Sequence, residues 1–306
     1  MIVKNILVLY YTQTGQLEEI LDSIISPLAS SSDVKIHKCF LEPNPPFPFP
    51  WSSEEFFQAF PESVLEIPQG INIPNLDLSI DYDLVILGFQ VWYLSPSIPV
   101  YSLFASEYAE KIFRNRPVVT VVGARNMWVM AQKVVNEKLE KAGATKVGAI
   151  SLCDKAPNLL SVISVIRWMM KGDKGPYKDF IPTAGVKEED IRNASVYGEF
   201  MKESLLNNSF KELQPKIYKN KGIFIDHRIF MMEKNARRIF KIWASKIIKK
   251  GSYGDKSRSR VLKVFKVYLL AVIYLVSPIA SLVFYLTYPF RLRAIHKLEN
   301  EFRQFL

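Results

Sequence analysis

Cysteine is scarce in this sequence, since Cys39 and Cys153 are the only two among 306 residues. Two cysteines cannot form the disulfide framework of a small secreted domain, and they lack the paired spacing of a structural zinc site. Their scarcity favours a reducing, cytosolic compartment. The first residues, Met1–Tyr11, precede no small-residue cleavage site, so they predict a first strand and no export signal.

Histidine is also scarce. His37, His227 and His296 lie far apart in the sequence, which supports neither a histidine-rich metal cluster nor a Ser-His-Asp arrangement. We therefore predict no metal ion, and each histidine is interpreted as a core or surface residue.

Acidic residues are scarce in the last third of the chain. Residues 1–210 contain 19 Lys and Arg against 24 Asp and Glu, whereas residues 211–306 contain 21 against 6. Such a basic segment attracts either nucleic acid or an anionic membrane surface. Its charges alternate with long apolar stretches, which suits a bilayer better than a phosphate groove. We predict contact with a membrane surface and no nucleic-acid partner.

Apolar runs and amphipathic segments alternate along the first two hundred residues. This alternation is typical of a doubly wound α/β fold, in which helices cover both faces of a parallel sheet. The predicted strands are 6–11, 34–39, 83–89, 118–123 and 146–152, and the predicted helices are 17–29, 97–113, 127–142, 157–170 and 188–206.

Composition also predicts how the chain divides. We expect an α/β domain over 1–206, a basic amphipathic helical segment over 207–262, and a hydrophobic helical tail over 263–306. The basic segment includes 234–250, where apolar and basic residues recur at helical spacing. The fold class is thus α/β with a helical, basic and hydrophobic C-terminal extension.

The loop after the first predicted strand carries hydroxyls and a glycine. A helix N-terminus there offers unpaired N–H groups to a phosphate. The loop resembles that of flavodoxins, whose Ser/Thr-x-Thr-Gly-x-Thr pattern matches Thr12, Thr14 and Gly15 but not Leu17. The resemblance implies a flavodoxin-like fold that binds FMN, with phosphate ligands at Thr12, Gln13, Thr14, Gly15 and Gln16. The alternative is an ordinary N-capped helix.

Two later loops extend the resemblance. Segment 88–100 resembles the flavin-ring loop of flavodoxin-fold reductases, and segment 123–128 follows the next strand, where this fold surrounds the polar edge of the ring. The implied cofactor contacts are Gln90, Val91, Trp92, Tyr93, Gly123, Arg125, Asn126 and Trp128. The alternative is that Trp92 and Trp128 anchor the core while Arg125 is a surface cation.

The tail contains 24 residues without a charged side chain, Val267–Phe290. A helix needs about 20 residues to cross a bilayer. Basic residues flank both ends, and both flanks favour the cytoplasmic side, which a hairpin bent at Pro278 satisfies. We therefore expect a peripheral or hairpin anchor on the cytoplasmic face of the inner membrane. The alternative is a helical pair packed on the α/β domain.

Over nearly the whole chain, the sequence resembles bacterial dialkylresorcinol condensing enzymes. The motifs that carry this resemblance are segments 11–16, 122–128 and 172–177 and the apolar C-terminus. It implies an aromatase that converts a lipid-like dialkyl cyclohexane-1,3-dione into a dialkylresorcinol beside a ketosynthase partner. For that reaction, the candidates for the proton acceptor are Tyr93, Asp173 and Tyr177, and the loop around Asp173 would serve as a lid. Arg125 or Asn126 would stabilise the charge that develops on the flavin.

Two other functions stay open, because a fold does not determine a function. One is a membrane-associated FMN oxidoreductase that uses a quinone or NAD(P)H. The other is a non-enzymatic flavodoxin-like docking protein. Flavodoxin-fold reductases often pair, so a homodimer is a further expectation.

Overall fold

The computed structural model describes residues 3–304. Its strands are β1 (Lys4–Tyr10), β2 (Val34–Phe40), β3 (Glu42–Asn44), β4 (Gly70–Asn72), β5 (Leu84–Trp92), β6 (Ser95–Pro96), β7 (Pro117–Ala124) and β8 (Thr145–Cys153). Its helices are α1 (Gln16–Ala29), α2 (Ser53–Val64), α3 (Ile98–Ala105), α4 (Tyr108–Phe113), α5 (Val129–Lys141), α6 (Asn158–Lys171), α7 (Glu188–Asn193), α8 (Ser195–Leu206), α9 (Leu213–Lys219), α10 (His227–Ile248), α11 (Ser259–Ala271), α12 (Ser277–Leu286) and α13 (Tyr288–Gln304).

Five parallel strands form the central sheet in the order β2-β1-β5-β7-β8. Counted among these five strands alone, the order is 2-1-3-4-5, the flavodoxin-like doubly wound arrangement. The strands read as near-continuous apolar runs because both faces of the sheet are buried. The predicted fold class, including its helical C-terminal extension, is confirmed.

Each face of the sheet has its own hydrophobic core. One core joins the sheet to α1, α7, α8 and α9. The other joins it to α3, α4, α5 and the last helix, α13. Leu213 and Ile217 of α9 lie in the first core, and Leu298 and Phe302 of α13 lie in the second. Segments beyond residue 207 therefore complete both layers of the α/β domain.

Two predicted helices are each divided in two. The segment predicted as one helix over 97–113 is broken at Ser106, whose backbone is extended. The Ser106 hydroxyl donates to the carbonyl of Leu103 and accepts from the amide of Tyr108, so one side chain ends α3 and begins α4. The segment predicted over 188–206 divides into α7 and α8 at Ala194.

Helix α10 and the tail build a third core beside α2. Phe265 of α11 stacks on Phe60 of α2 with ring centroids 3.8 Å apart. Phe240 of α10 lies against the same two rings. Arg258, which is fully buried, donates to both carboxylate oxygens of Glu62 at 2.7 and 3.0 Å. The C-terminal extension is thus attached to the α/β domain by aromatic stacking and a buried ion pair.

The apolar segment does not bend at Pro278, so the predicted hairpin is wrong. A single helix runs over Lys256–Leu286, and among residues 3–304 it is the only helix that is long and apolar enough to cross a membrane. A proline lacks an N–H group and crowds the carbonyl four residues earlier. A π-helical stretch at Val272–Val276 rearranges the hydrogen bonds there, which lets the helix continue. The chain turns only at Thr287.

Candidate functional site

A pocket of about 250 Å³ lies at the carboxyl ends of the parallel strands. Its walls come from the loops that follow β1, β5, β7 and β8, and from α2 and α6. This edge is where open α/β sheets bind ligands, because loops from neighbouring strands converge there. Nine of the predicted cofactor contacts line the pocket: Gln13, Thr14, Gln16, Gln90, Val91, Trp92, Tyr93, Gly123 and Arg125.

The predicted phosphate loop is held in shape by its own hydrogen bonds. The Thr12 hydroxyl accepts from the amide of Gly15 at 3.1 Å. Gly15 has a φ of 85°, which favours glycine, and the space where its side chain would lie is open. Among residues 3–304, no side chain caps the N-terminus of α1. The first-turn amides of α1 are therefore available to an anion.

The two glutamines of this loop serve mainly as structural links. Gln16 both donates to and accepts from the backbone of Val186, at 3.0 and 2.9 Å. Gln13 donates from its backbone amide to Gln90, and its side chain bonds to Tyr11 and Pro48. These side-chain groups already have partners, so Thr14 and the backbone amides carry the anion-binding capacity of the loop.

The loop after β5 is a tight turn with an unusual backbone. Tyr93 and Leu94 have φ values of 50° and 65°, and the flanking residues Trp92 and Ser95 pair across the turn. Two consecutive left-handed residues that are not glycine cost free energy, and such strain is concentrated at functional sites. The Tyr93 hydroxyl donates to the carbonyl of Phe56 at 2.5 Å. Tyr93 therefore positions the pocket wall, and its hydroxyl is already engaged.

Arg125 is the cation of the pocket. Its guanidinium donates to Asn158 and Ser161 at the start of α6. Burial lowers the pKa of Arg125 to about 10, while nearby Asp154 opposes that change. The side chain thus keeps its positive charge at neutral pH.

Four predicted residues do not line the pocket. Thr12 and Gly15 shape the phosphate loop at its edge, as described above. Asn126 lies behind Arg125, where its side-chain amide donates to Asn158 at 2.7 Å. Trp128 corrects the prediction most clearly, because it is fully buried in the sheet core, donates to the carbonyl of Phe224 and packs on Phe302. Its local sequence matches a flavin loop, but its side chain packs in the core that joins the sheet to α5 and α13.

The predicted lid residues also lie outside the pocket. Asp173 pairs with Arg167 on the exposed loop after α6. The ring of Tyr177 is packed under the same guanidinium, 4.0 Å from it, and is 40% exposed. Neither side chain reaches the pocket, so the structure does not support Asp173 or Tyr177 as its proton acceptor.

Asp154 is the acid that the sequence reasoning missed. It is 5% exposed and lines the pocket. One carboxylate oxygen accepts from the amide of Ala156 at 2.8 Å, and the other has no hydrogen-bond partner among residues 3–304. Burial raises the pKa of Asp154, while backbone hydrogen bonds and Arg125 oppose that rise. Its position directly after β8 was the available signal, because the carboxyl ends of parallel strands meet at this edge.

The apolar walls were missed as well. Trp51 and Phe56 reach the pocket from the excursion between β2 and β5, and Trp168, Met169 and Met170 reach it from α6. The indole N–H of Trp51 has no acceptor within the described part of the chain. Proline spacing predicts a surface excursion for 43–50 but cannot show that the following residues fold back over a pocket.

Glu233 of α10 is fully buried beside the start of α5, which follows the loop at 123–128. Its carboxylate accepts from the amide of Met130 at 2.7 Å, at the N-terminus of α5. Burial raises the pKa of Glu233 to about 7. Residues 3–304 contain no group of His, Cys, Asp or Glu suited to a metal ion.

Glu233→Gln is expected to change how stability depends on pH. An acid with a raised pKa binds its proton more tightly in the folded than in the unfolded chain, so its favourable contribution is lost as pH rises towards about 7. The melting temperature of the wild type should therefore fall between pH 5 and pH 8 more than that of Glu233→Gln. Glu137→Gln, on the exposed side of α5, is the control and should keep the wild-type slope. Equal slopes for all three proteins would contradict the expectation.

Comparisons with known proteins give structural neighbours only. No family model and no curated protein matches the sequence. A flavoprotein in complex with FMN from Lactobacillus acidophilus is 17% identical, with a TM-score of 0.38, over 49% of this chain and 93% of its own. Oxidised flavodoxin 1 from Bacillus cereus is 15% identical, with a TM-score of 0.35, over 64% and 95%. At these values the fold assignment rests on the strand order of this chain.

Proposed function

We propose that this protein binds FMN non-covalently in the pocket and uses it for a redox reaction. The observation that carries the proposal is a set of polar groups that have no hydrogen-bond partner among residues 3–304 and belong to residues that line the pocket. They are the first-turn amides of α1, the indole N–H of Trp51 and a carboxylate oxygen of Asp154. A phosphorylated isoalloxazine needs donors for its phosphate, and both donors and acceptors along its ring edge. The chemistry of these groups fits that cofactor.

The finer proposal is an aromatase that converts a dialkyl cyclohexane-1,3-dione into a dialkylresorcinol. It rests on the resemblance of the motifs to dialkylresorcinol condensing enzymes, in which a ketosynthase partner would supply the dione. The walls formed by Val165, Ile166, Met169 and Met170 support an alkyl-bearing substrate. Ile166 is also 39% exposed, so the wall includes apolar surface through which an alkyl chain can leave the pocket.

Asp154 and Arg125 supply the proton chemistry of this reaction. A ring C–H bond next to a carbonyl group is acidic, and Asp154 is the buried base available to take that proton while the neighbouring ring carbon gives up the hydride. Arg125 stabilises the negative charge that develops on the substrate oxygen. Bound FMN supplies the hydride acceptor. The substrate loses one proton and one hydride, so it leaves as a tautomer of the aromatic product.

Anaerobic mixing tests this function. The purified protein should bind added FMN, and a synthetic dialkyl cyclohexane-1,3-dione should bleach the flavin absorbance with a resorcinol as product. Bleaching by NAD(P)H or a quinol but not by the dione would replace the aromatase with the alternative oxidoreductase. A protein that binds no FMN would overturn both and leave the docking function.

A further inference from the structure

The helix over Lys256–Leu286 exposes an apolar stripe along its whole length. Its members recur at helical spacing, and we call them the outer face: Val264, Val267, Leu275, Ile279, Leu282 and Leu286. Exposure ranges from 58% at Val264 to 71% at Leu286. So long an apolar surface is costly in water and marks a contact with another apolar phase or partner.

The opposite side of the same helix is more polar towards its C-terminal end. Ser277 lies against Met232 of α10, with the hydroxyl 3.7 Å from the sulfur. Ser281 lies on the same side and donates to the carbonyl of Ser277. A water-exposed surface helix places its apolar side inward. Here Ser277 and Ser281 face the protein beside the buried Phe284, while large aliphatic side chains face outward, as expected of a helix whose outer side meets lipid.

Both ends of the helix over Lys256–Leu286 are attached to the α/β domain. Phe265 stacks on Phe60 near the start, and α13 beyond the turn inserts Leu298 and Phe302 into the sheet core. The middle also lies against α10, since Ser277 contacts Met232 of that helix. A helix that crosses a bilayer would separate its two ends by the full thickness of about 30 Å of hydrocarbon. This packing leaves no room for such a crossing.

We propose that the outer face docks this protein in the plane of an anionic phospholipid surface without crossing it. Residues 256–298 contain no acidic residue. Exposed cations lie at both ends of the outer face: Arg260 and Lys263 before it, and Arg293 and Lys297 after it. An in-plane amphipathic helix buries its apolar side about 5–10 Å deep while flanking cations meet lipid phosphates.

The same charges argue against a second copy of the chain as the occupant. Pairing two outer faces would bring the cations at the ends of one helix near those of its partner, and like charges at an apolar contact oppose association. An anionic surface instead complements them. The proposal does not depend on FMN binding.

Vesicle sedimentation with the full chain tests the docking. The protein should bind vesicles of phosphatidylcholine and phosphatidylglycerol more tightly than vesicles of phosphatidylcholine alone. The triple substitution Leu275→Glu, Ile279→Glu and Leu282→Glu should weaken binding to the mixed vesicles about 100-fold, because it removes apolar burial and adds charge repulsion. The matched control, Ile67→Glu with Leu78→Glu, changes exposed apolar residues elsewhere and should bind as the wild type does.

Three outcomes would overturn the proposal. They are no binding to mixed vesicles, equal binding by the triple variant, or a dimer in solution that the triple substitution dissociates. Circular dichroism of each variant establishes that it is folded.

The depth of labelled residues in the bilayer distinguishes a helix that lies in the membrane plane from one that crosses the membrane. Environment-sensitive labels at Val264→Cys, Leu275→Cys and Leu282→Cys, quenched by spin-labelled lipids, should report one shallow depth. The native Cys39 and Cys153 are buried, so the introduced thiols label selectively. A label at position 275 near the bilayer centre, with the others at the interfaces, would establish a transmembrane helix instead.

Discussion

Asp154→Asn is expected to slow reduction of bound FMN by a cyclic dione about 10²- to 10⁴-fold, the usual contribution of a positioned general base. Asparagine keeps the size of the side chain and can still accept from the amide of Ala156, but it cannot take a proton. The wild-type rate should rise with pH as Asp154 loses its proton, at a pKa that burial raises above the ordinary value. In Asp154→Asn this rise should be absent. Anaerobic stopped-flow absorbance measures both effects.

The matched control is Asp173→Asn. Asp173 is an aspartate within the predicted segment 172–177, but it pairs with Arg167 outside the pocket, so its loss should leave the reduction rate within about twofold, as expected for a residue without a catalytic contact. FMN affinity, followed by flavin fluorescence, separates the two roles that Asp154 could have. Weaker FMN binding with a normal reduction rate would make Asp154 a cofactor ligand and contradict its role as the base.

Arg258→Met is expected to lower the free energy of unfolding by about 3–5 kcal/mol, because it leaves the carboxylate of Glu62 buried without its partner. The guanidinium makes two hydrogen bonds to that carboxylate at 2.7 and 3.0 Å and is fully buried. It joins the segment before α11 to α2, which also carries Phe56 and Ala59 of the pocket wall. Urea denaturation of the full chain measures the loss.

Two further variants test whether the loss of stability in Arg258→Met comes from the ion pair. In the double variant Glu62→Leu with Arg258→Met no charge is left unpaired, so most of the stability should return. Lys111→Met breaks an exposed pair with Glu107 and should leave the midpoint of urea unfolding close to that of the wild type. A double variant as unstable as Arg258→Met alone would show that packing of the arginine stem, and not the ion pair, carries the effect.

Much of the fold could be predicted because its signals are local. A buried parallel strand needs an apolar run such as 84–89, and the alternation of such runs with helical segments permits few topologies. The breaks at Ser106 and Ala194 were not predictable in this way. Each depends on a few backbone and side-chain bonds within an otherwise helical pattern.

The site was predictable in its loops but not in its individual side chains. Three loops converge because they follow neighbouring parallel strands, and strand order follows from the alternation. Which way a side chain points within a loop depends on tertiary packing, so Trp128 was misplaced and Asp154 was overlooked. The sequence also could not show which polar groups are free to bind a ligand. The side chains of Gln16 and Tyr93 already form hydrogen bonds with Val186 and Phe56, which are distant in sequence.

The insertion of α13 into the sheet has a consequence for the order in which the protein matures. Trp128 packs on Phe302, and the amide of Gln214 donates to the carbonyl of Phe302 at 2.7 Å. When all five parallel strands have emerged from the ribosome, α13, which covers one face of the sheet, has not yet been synthesised. Domains generally fold during synthesis once their last element emerges. The nascent domain thus closes only after the helix over Lys256–Leu286 has left the exit tunnel. With the proposed docking, closure of the domain and its first contact with a membrane surface would fall in the same interval.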